Sequence, residues 1–459
     1  MQLYKKVIIL LTVLLCGTSY EQIVSAPLNI LFVVGRFPSP SQTFILNIIT
    51  GLIDKGHNVF IFSFHQGELR YAHPNIKKYK LLDHVVYKKF PTRSSHYDIV
   101  FCQFGGLGKK ILENRTLSQW LSKRKVVVCF RGSDITTADP NAYKKVFKKG
   151  DLFLPVCDYF RKKLIALGCS VDKIVVHYSA IDCSKFFFAI RQKPENDSIH
   201  LISVCRLVKK KGLDYAIKAF AEVSKKHTQL HYDVVGEGPE RIYLELLIRQ
   251  LGLQDKITLH GWKSQNDIVS MLNSAHIFLL PSRKASDGNE EGIANALKES
   301  MAMGLISVAT WHAGTPELIE DGVSGFLVPE KNVYKLANTI DYIIEHPEIW
   351  ESVGLAGRKK VKDEFETKQS IVKLEKIFYT LLGTLKETHN NDMVNDEKVI
   401  SHGEDVLDGE EDIEDDEKDV EDDEEDYGED IEDDEEDGED HGEDGEDVED
   451  YGEDVDYVA

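Results

Sequence analysis

The chain has 459 residues, a length that accommodates two or three domains with sizeable cores. Its formal charge of −23 is unevenly distributed: residues 401–459 hold 36 Asp and Glu against one Lys, which leaves 54 Lys and Arg against 42 Asp and Glu elsewhere. The body is therefore basic, at about +12, and suits an anionic partner such as a nucleotide diphosphate, a phospholipid surface or nucleic acid. Seven cysteines without a Cys-x-x-Cys pair exclude a zinc site of the usual spacing.

The first 26 residues are predicted to be a targeting segment. Lys5 and Lys6 precede an apolar run over residues 7–15, and Ser25 and Ala26 offer small residues for cleavage. The run is shorter than the about 18–20 apolar residues of a membrane span. Residues 1–26 are interpreted as a cleaved signal peptide or a short uncleaved anchor. The protein is accordingly expected at a membrane or in the lumen of the secretory pathway.

Residues 27–192 alternate between strand and helix patterns. The apolar, β-branched run at residues 28–34 stops at Gly35 and is typical of a strand buried on both faces. A helix is predicted over residues 42–55, and further strands over residues 59–64, 97–101, 125–130, 152–156 and 173–177. Strands that alternate with helices predict right-handed crossovers and an open parallel sheet.

A polar stretch at residues 189–198 separates this region from a second alternating series at residues 193–388. Strands are predicted over residues 200–205, 231–235, 256–260, 276–280 and 306–309, and helices over residues 213–226, 240–251, 266–274 and 293–303. The fold class is therefore α/β, with two tandem Rossmann-like doubly wound domains whose cleft faces the carboxyl ends of both sheets. Residues 389–459 are predicted to be a disordered acidic low-complexity tail.

Two carboxylates in the second domain are candidate site residues. Glu291 ends a polar loop at the start of the helix predicted over residues 293–303, and Glu299 lies about two turns along that helix. Eight steps of 100° bring the two directions to within about 80° of each other, so both side chains can border one cleft. When two glutamates at this spacing are the only evidence, they more often lie on a solvent-exposed face of a helix than in a functional site.

The surrounding sequence is more specific than the two glutamates alone. The helix is followed by His312-Ala-Gly-Thr-Pro-Glu317 and by Gly322-Val-Ser-Gly-Phe-Leu-Val328. Residues 276–328 resemble the signature of retaining glycosyltransferase family 4, and the Pro-Ser-x-Ser-Gln-Thr-Phe-Ile segment at residues 38–45 is similar to exopolysaccharide transferases of the colanic-acid and amylovoran type. The resemblance extends over roughly residues 28–380 and is stronger in the second domain.

This resemblance implies roles for four residues of the helix region. Glu299 is expected to bind the ribose hydroxyls of a nucleotide-sugar donor in a charge-assisted contact, and Glu291 to lie near the donor sugar and the reacting centre. The helix opening at Gly292 and Ile293 is expected to direct backbone N–H groups at the sugar or the diphosphate.

A basic loop follows the first strand of the second domain. Arg206 and Lys211 match the basic pair of the family's Gly-Arg-Leu-x3-Lys-Gly element, although Cys205 stands where the family usually has Gly. Fixed cations at this place stabilise the charge that develops on a nucleoside diphosphate leaving group. Taken without the glutamate motif, a solvated basic turn is the commoner explanation of this loop.

In the first domain, Arg131 to Asp134 resemble the family's His-Gly-x-Asp element, with Arg131 in place of His. Arginine stays protonated, so this residue cannot be a general base. Two roles stay open for Arg131: it binds phosphate or acceptor oxygens, or it has a structural role at the end of the strand. Asp134 and Ser41 are assigned to the acceptor or donor-sugar side of the cleft.

Two glycines at predicted strand ends complete the assignment. Gly35 and Gly236 are placed at the donor by resemblance, although each is equally explained as a turn glycine.

The sequence therefore predicts a metal-independent hexosyltransferase without a cofactor, which moves a sugar from a nucleotide-sugar donor to a glycan or lipid-linked acceptor with retention of configuration. A membrane surface is a further expected partner, and nucleic acid is not. The alternative is a degenerate transferase scaffold that binds calcium or basic partners through its acidic tail. A dehydrogenase is disfavoured because no Gly-x-Gly-x-x-Gly follows the first strand, and a sugar-nucleotide epimerase matches the motifs less well.

Overall fold

Runs of Val, Ile, Leu and Phe form two parallel sheets, as the patterns predict, and each sheet has six strands. The computed structural model describes residues 26–39, 42–69, 73–92, 96–139 and 141–384, all of which belong to one compact unit. The predicted targeting segment up to residue 25, the site candidate Ser41 and the acidic tail lie outside the described residues. No helix within the described ranges is long and apolar enough to cross a bilayer.

The first sheet has the strand order β3-β2-β1-β4-β5-β6. Its strands are β1 (Asn29–Phe37), β2 (Asn58–Gln66), β3 (Val85–Tyr87), β4 (Ile99–Cys102), β5 (Lys125–Phe130) and β6 (Leu152–Pro155). The helices between and after them are α1 (Thr43–Asp54), α2 (Pro74–Lys78), α3 (Gly105–Leu112), α4 (Ser118–Leu121), α5 (Ser133–Thr136), α6 (Lys144–Lys149) and α7 (Asp158–Ala166). Every residue of β4 is buried, because helices cover both faces of the sheet.

The second sheet has the strand order β12-β11-β10-β7-β8-β9. Its strands are β7 (Ile199–Val204), β8 (Leu230–Val235), β9 (Ile257–Gly261), β10 (Ile277–Leu280), β11 (Ile306–Thr310) and β12 (Phe326–Val328). The helices are α8 (Leu213–Lys226), α9 (Arg241–Gln250), α10 (Gln265–Ser274), α11 (Asn295–Ala302), α12 (Thr315–Leu318), α13 (Val333–Glu345), α14 (Trp350–Glu364) and α15 (Thr367–Leu382). Asp214 in the first turn of α8 and two lysines in its last turn complement the helix dipole.

Two predictions about the first sheet are wrong. Gly35 does not end the first strand, because β1 continues through it to Phe37. Residues 173–177 are not a strand either: Val175 and His177 donate N–H bonds to β6, at 3.1 and 3.0 Å. Pro155 of β6 has no N–H to donate in return, so a regular ladder does not form there.

The last helix, α15, follows the second sheet in the chain but packs against α1 of the first. Glu375 accepts a hydrogen bond from the buried ring of His57 at 3.0 Å, and the Tyr379 hydroxyl donates to the carbonyl of Ala26 at 3.0 Å. The Phe378 ring meets the Phe101 ring edge-on at 5.4 Å. The domain boundary near residue 192 stays a prediction. The last helix of the predicted second domain, residues 193–388, packs against the half that contains the first sheet.

A carboxylate of the second sheet's half caps a helix of the first. Glu317, on α12, accepts the backbone N–H groups of Asp158 at 2.7 Å and Tyr159 at 2.9 Å, both in the first turn of α7. The Tyr178 hydroxyl donates to the same carboxylate at 3.1 Å. The negative charge also complements the positive end of the α7 dipole, so Glu317 joins the two halves by the interaction that an N-cap residue normally makes within one helix.

The substitution Glu317→Ala is expected to lower the free energy of unfolding by about 1–2 kcal/mol, the usual range for losing a helix N-cap. The measurement is a denaturant titration with Glu320→Ala as the matched control, since Glu320 is an exposed glutamate three residues away. Equal stability of the two variants would show that the contact contributes nothing.

Candidate active site

A cavity of about 130 Å³ lies where the carboxyl ends of the two sheets face each other. It is lined by residues of both halves: Thr43, Phe44, Phe104, Arg131, Gly132, Ser133, Val156 and Ser179 from the first, and Val204, Arg206, Lys210, Lys211, Glu290, Glu291, Gly292, Ile293, Ala294, Asn295 and Ala296 from the second. The structure therefore brings the predicted catalytic residues Arg206, Lys211 and Glu291 to one place, together with Arg131.

A buried ion pair between Glu291 and Lys211 lines this cavity. The Lys211 ammonium is hydrogen-bonded to Glu291 Oε1, and the lysine side chain is only 5% exposed. Burial opposes the charge of Glu291, but Lys211 and Lys210 outweigh it and lower its pKa to about 2. Glu291 is therefore fully ionised at neutral pH.

The backbone around Lys211 fixes the position of its ammonium group. The 3-10 turn Lys209–Lys211 ends at Gly212, whose φ of 65° lies in the left-handed region. A Cβ atom on Gly212 would lie 2.0 Å from the carbonyl oxygen of Pro281, so only glycine lets the turn approach the end of β10.

The loop that carries Glu291 is held from the opposite side. Ser282 donates its hydroxyl to Glu291 Oε2 at 3.0 Å, and the backbone N–H of Glu291 donates to His312 Nε2 at 3.0 Å. The other ring nitrogen of His312 lies 2.6 Å from Glu330 Oε1. Because Nε2 accepts a hydrogen bond, the proton sits on Nδ1, where Glu330 orients the ring.

The helix in this region begins later than predicted. α11 starts at Asn295, after an extended Ala294, so Gly292 and Ile293 lie in the preceding loop and not in a helical turn. Both nevertheless line the cavity. A Cβ atom on Gly292 would lie 3.1 Å from the Phe160 ring of α7, which shows how closely this loop approaches the first half.

Arg131 reaches the cavity from the end of β5. Its guanidinium donates to Gln103 and, at 2.8 Å, to the Ser179 hydroxyl, and it lies 4.4 Å from the centre of the Phe44 ring. Asp134 does not line the cavity: its carboxylate accepts the backbone N–H groups of residues 105, 131 and 132 at 2.8–3.0 Å. Asp134 therefore holds the loop that presents Arg131.

Glu299 lies beside a second, very small cavity that Asn295, Gln265 and Lys185 also line. Burial raises the pKa of Glu299 to about 7, against the smaller opposing effects of Lys298 and Lys185. The carboxylate is therefore poised between its two protonation states at neutral pH.

The two glycines assigned to the donor are not among the residues that line either cavity. Gly35 is buried inside β1. Gly236 has a φ of 138°, and a Cβ atom there would lie 1.9 Å from the carbonyl oxygen of Cys205, so this glycine lets the ends of β7 and β8 meet. A donor contact at these glycines stays a prediction.

Sequence reasoning missed three polar side chains. Glu290 lines the cavity beside Glu291 but bonds to the first half: the Tyr159 hydroxyl donates to its Oε1 at 2.9 Å, and Lys163 of α7 pairs with its Oε2. Lys210 donates to Asn289 at 3.2 Å and adds to the positive charge. Lys298 is fully buried, donates to the carbonyl of Ser179 at 2.6 Å, and has its pKa lowered by burial to about 7. Glu290 could have been predicted as a site residue, because it directly precedes Glu291 in the sequence. The burial of Lys298 could not, because no sequence signal indicated it.

Comparison with known proteins decides the family. Residues 185–360 match the family described as Glycosyl transferases group 1. The Salmonella typhimurium protein named as a colanic acid biosynthesis glycosyltransferase, WcaL, is 31% identical over 394 residues, which are 74% of this chain and 96% of that protein. The chain belongs to the group 1 glycosyltransferases. The amylovoran biosynthesis glycosyltransferase AmsK of Erwinia amylovora is also 31% identical to this transferase, over 397 residues that cover 74% of the chain and 96% of AmsK.

A solved structure confirms the fold of the transferase. Anabaena Alr3699/HepE in complex with UDP superimposes with a TM-score of 0.63 at 18% identity, covering 77% of this chain and 100% of that one. The predicted GT-B architecture of two Rossmann-like halves is therefore correct.

The Glu291–Lys211 ion pair yields a stability prediction. Lys211→Met leaves a buried carboxylate without its cation and is expected to cost about 3–5 kcal/mol in the free energy of unfolding. The double variant with Glu291→Gln removes that unpaired charge and is expected to recover part of the loss. Denaturant titration of the two single variants and the double variant measures the coupling; additive effects would mean that the two side chains act independently.

Proposed function

We propose that this transferase moves a hexose-type sugar from a nucleotide-sugar donor to a glycan or lipid-linked acceptor. The reaction retains the configuration at the anomeric carbon and is a step in the synthesis of an exopolysaccharide. The observation that carries the proposal is the cavity in which Arg206, Lys210 and Lys211 meet Glu291 at the carboxyl ends of the strands. Ligands of open α/β sheets bind at this position.

The choice of donor and pathway rests on what the relatives are named for. The relatives WcaL and AmsK are named for colanic acid and amylovoran biosynthesis, which are exopolysaccharide pathways. Alr3699/HepE has also been solved in complex with UDP-glucose, at a TM-score of 0.62 to this chain. A UDP-hexose is therefore the first donor to test.

In the proposed reaction, the bond between the anomeric carbon and the diphosphate oxygen breaks, and the nucleoside diphosphate leaves with the electron pair. Arg206, Lys210 and Lys211 offer fixed positive charge to the leaving group, where it stabilises the transition state more than the ground state. These side chains provide the charge that a divalent metal supplies in other transferases, so we propose that the reaction is metal-independent.

Glu291 acts in this mechanism by its charge. A carboxylate with a pKa of about 2 is a weak base at neutral pH, so it is suited to stabilising the positive charge that grows at the anomeric carbon. Arg131 stays protonated and cannot take a proton. As this bond breaks, the acceptor hydroxyl oxygen forms the new bond to the anomeric carbon on the same face of the sugar. The departing diphosphate oxygen becomes more basic, and we assign to it the proton that the acceptor hydroxyl loses.

We also propose that the enzyme works at a membrane surface. A lipid-linked acceptor places the reaction there, the body carries a charge of about +12, and the sequence begins with Lys5, Lys6 and an apolar run. Of the two interpretations of the first 26 residues, an uncleaved anchor would keep the chain at a membrane, whereas a cleaved signal peptide would release it into the lumen.

Turnover of UDP, GDP and ADP sugars by the full-length protein and its variants tests the proposed chemistry. Arg206→Ala and Lys211→Ala are each expected to lower the rate by about 10²–10³, the scale of losing one group that stabilises transition-state charge. Their effects are expected to be non-additive, because both side chains face one diphosphate. Lys209→Ala is the matched control, since Lys209 is exposed on the same 3-10 turn and does not line the cavity. Wild-type rates in both cavity variants would contradict the leaving-group role.

The raised pKa of Glu299 yields a pH dependence of donor binding. Two ribose hydroxyls donate to an ionised carboxylate, so binding is strongest above the pKa of about 7 and weakens as pH falls through it. Nucleotide affinity, measured by calorimetry, is expected to be about tenfold lower at about pH 6 than at about pH 8. Glu299→Gln is expected to bind more weakly and without this pH dependence. A wild-type profile that stays flat across this range would rule out the ribose contact.

A further inference from the structure

A fully buried lysine lies close to the cavity without lining it. Lys298 is on α11, and its side chain is completely shielded from solvent. Its ammonium group donates to the carbonyl oxygen of Ser179 at 2.6 Å and lies 5.7 Å from the centre of the Phe365 ring. Lysines are almost never buried to this extent, because removing the charge from water is costly. A lysine at this position therefore needs a reason other than packing.

An apolar side chain would fill the same space at a lower cost in free energy. The residues of α11 from Ala296 to Ala302 are all buried, so this part of the helix is embedded in the protein. Methionine has nearly the length of lysine, and replacing a buried charge by an apolar side chain of similar volume is often neutral or stabilising. What methionine lacks is the amine of Lys298, which donates to Ser179. This hydrogen bond is the feature that distinguishes the two residues here.

Ser179 connects Lys298 to the cavity. The Ser179 hydroxyl accepts a hydrogen bond from Arg131 Nη1 at 2.8 Å, and both of these residues line the cavity. Ser179 is therefore bonded to a lysine through its carbonyl and to an arginine through its hydroxyl. Lys298 belongs to the second half of the molecule and the other two residues to the first, so the two hydrogen bonds connect the halves beside the cavity.

The segment around Ser179 is neither helix nor strand. The backbone N–H groups of His177 and Ile181 anchor it on either side of Ser179, at 3.0 and 2.9 Å from their acceptors. Between these anchors, the hydrogen bonds that Ser179 makes within the described ranges are those with Lys298 and Arg131. Without Lys298, the position of Ser179 would depend on the arginine that it orients.

The guanidinium of Arg131 is held at two places. Gln103 accepts from its Nε at 3.2 Å and from its Nη2 at 2.9 Å. Gln103 is fully buried, and its backbone N–H donates to the carbonyl of Val33 in β1 at 3.1 Å, so the sheet fixes its position. The second place is Ser179, which has no such support from the sheet and is fixed by Lys298.

We propose that Lys298 is a positioning residue for the sugar transfer: it holds the carbonyl of Ser179, so that the Ser179 hydroxyl fixes the guanidinium of Arg131 in the cavity. Lys298 acts through Arg131, because it does not line the cavity itself. Arg131 lines the same cavity as Arg206 and Lys211, so its charge acts on the same diphosphate. The inference rests on the reaction proposed above.

Helix α11 then has two tasks at the site. Lys298 directly precedes Glu299, the carboxylate proposed for the ribose hydroxyls. One helix therefore carries both the donor contact and the link to Arg131, so a donor that seats α11 correctly also sets the position of the arginine.

The test compares Lys298→Met with Ser300→Ala in the full-length protein. Ser300 is the matched control, because it is a buried polar residue of the same helix whose hydroxyl donates to the carbonyl of Leu297 at 2.9 Å. The measurement is kcat for the release of UDP from UDP-glucose. Lys298→Met is expected to lower kcat about tenfold, since a small misplacement of a group at the reacting centre costs up to about 100-fold. Ser300→Ala is expected to keep the wild-type rate.

Two further variants show through which residue Lys298 acts. Ser179→Ala removes the hydroxyl but leaves Lys298 and Glu299 in place, so it is expected to lower kcat by a similar factor without changing KM for UDP-glucose. Arg131→Ala is expected to lower kcat by about 10²–10³. Adding Lys298→Met to Arg131→Ala is expected to cause no further loss, because the group that Lys298 positions is gone. An effect through Glu299 would instead persist in the Arg131→Ala background.

Three results would overturn the proposal: a wild-type kcat in Lys298→Met or in Arg131→Ala, an equal loss in Ser300→Ala, or additive losses in the double variant. A wild type that releases the nucleotide from none of the UDP, GDP and ADP sugars contradicts the proposed function instead. Crystal structures of the wild type and of Lys298→Met then decide the positioning. The guanidinium of Arg131 is expected to leave the Ser179 hydroxyl in the variant, and a guanidinium that stays there contradicts the inference.

Discussion

A carboxylate removed from water must keep a cation within reach, and the buried contact between Glu291 and Lys211 imposes this requirement on the second half of the molecule. The two residues lie on different loops, one after β10 and one after β7. Their side chains can meet only because these strands are neighbours in the sheet and run parallel, so that both loops leave the same edge. Gly212, Ser282 and His312 each hold one of the two loops at the distance that the contact demands.

The two halves of the protein are connected through the same loop. Glu290 and Glu291 are adjacent, yet Glu290 pairs with Lys163 of α7 while Glu291 pairs with Lys211 of its own half. Glu317 of the second half also caps the first turn of α7. The loop of Glu290 and Glu291 is therefore held between two sets of charges, and a change in the relation of the halves acts directly on residues that line the cavity.

Most of the sheet framework could be predicted because strands buried on both faces need continuous apolar runs. The three-residue edge strands β3 and β12 are too short to give such a signal. The start of α11 was placed two residues early, because Ile293 and Ala294 fit a helical pattern and only tertiary contacts hold Ala294 in an extended conformation. The prediction that Glu291, Arg206 and Lys211 border one cleft is correct, because all three lie on loops that leave the same edge of the sheet. The inward turn of Asp134, the burial of Lys298 and the position of Gly35 within its strand depend on packing between distant segments, which the local pattern does not encode.

The return of α15 to the first sheet limits how this protein can be divided or recombined. The chain crosses between the halves twice, and the two crossings are joined where Ile181 exchanges backbone hydrogen bonds with Phe365 and Thr367. A gene fragment that encoded only the first half would leave the surface under α15 exposed to water, with Phe101 and His57 deprived of their partners. A chimaera that takes its second half from another transferase must therefore also keep this protein's own last helix, so that the segment available for exchange is an interior insert between residues 181 and 366.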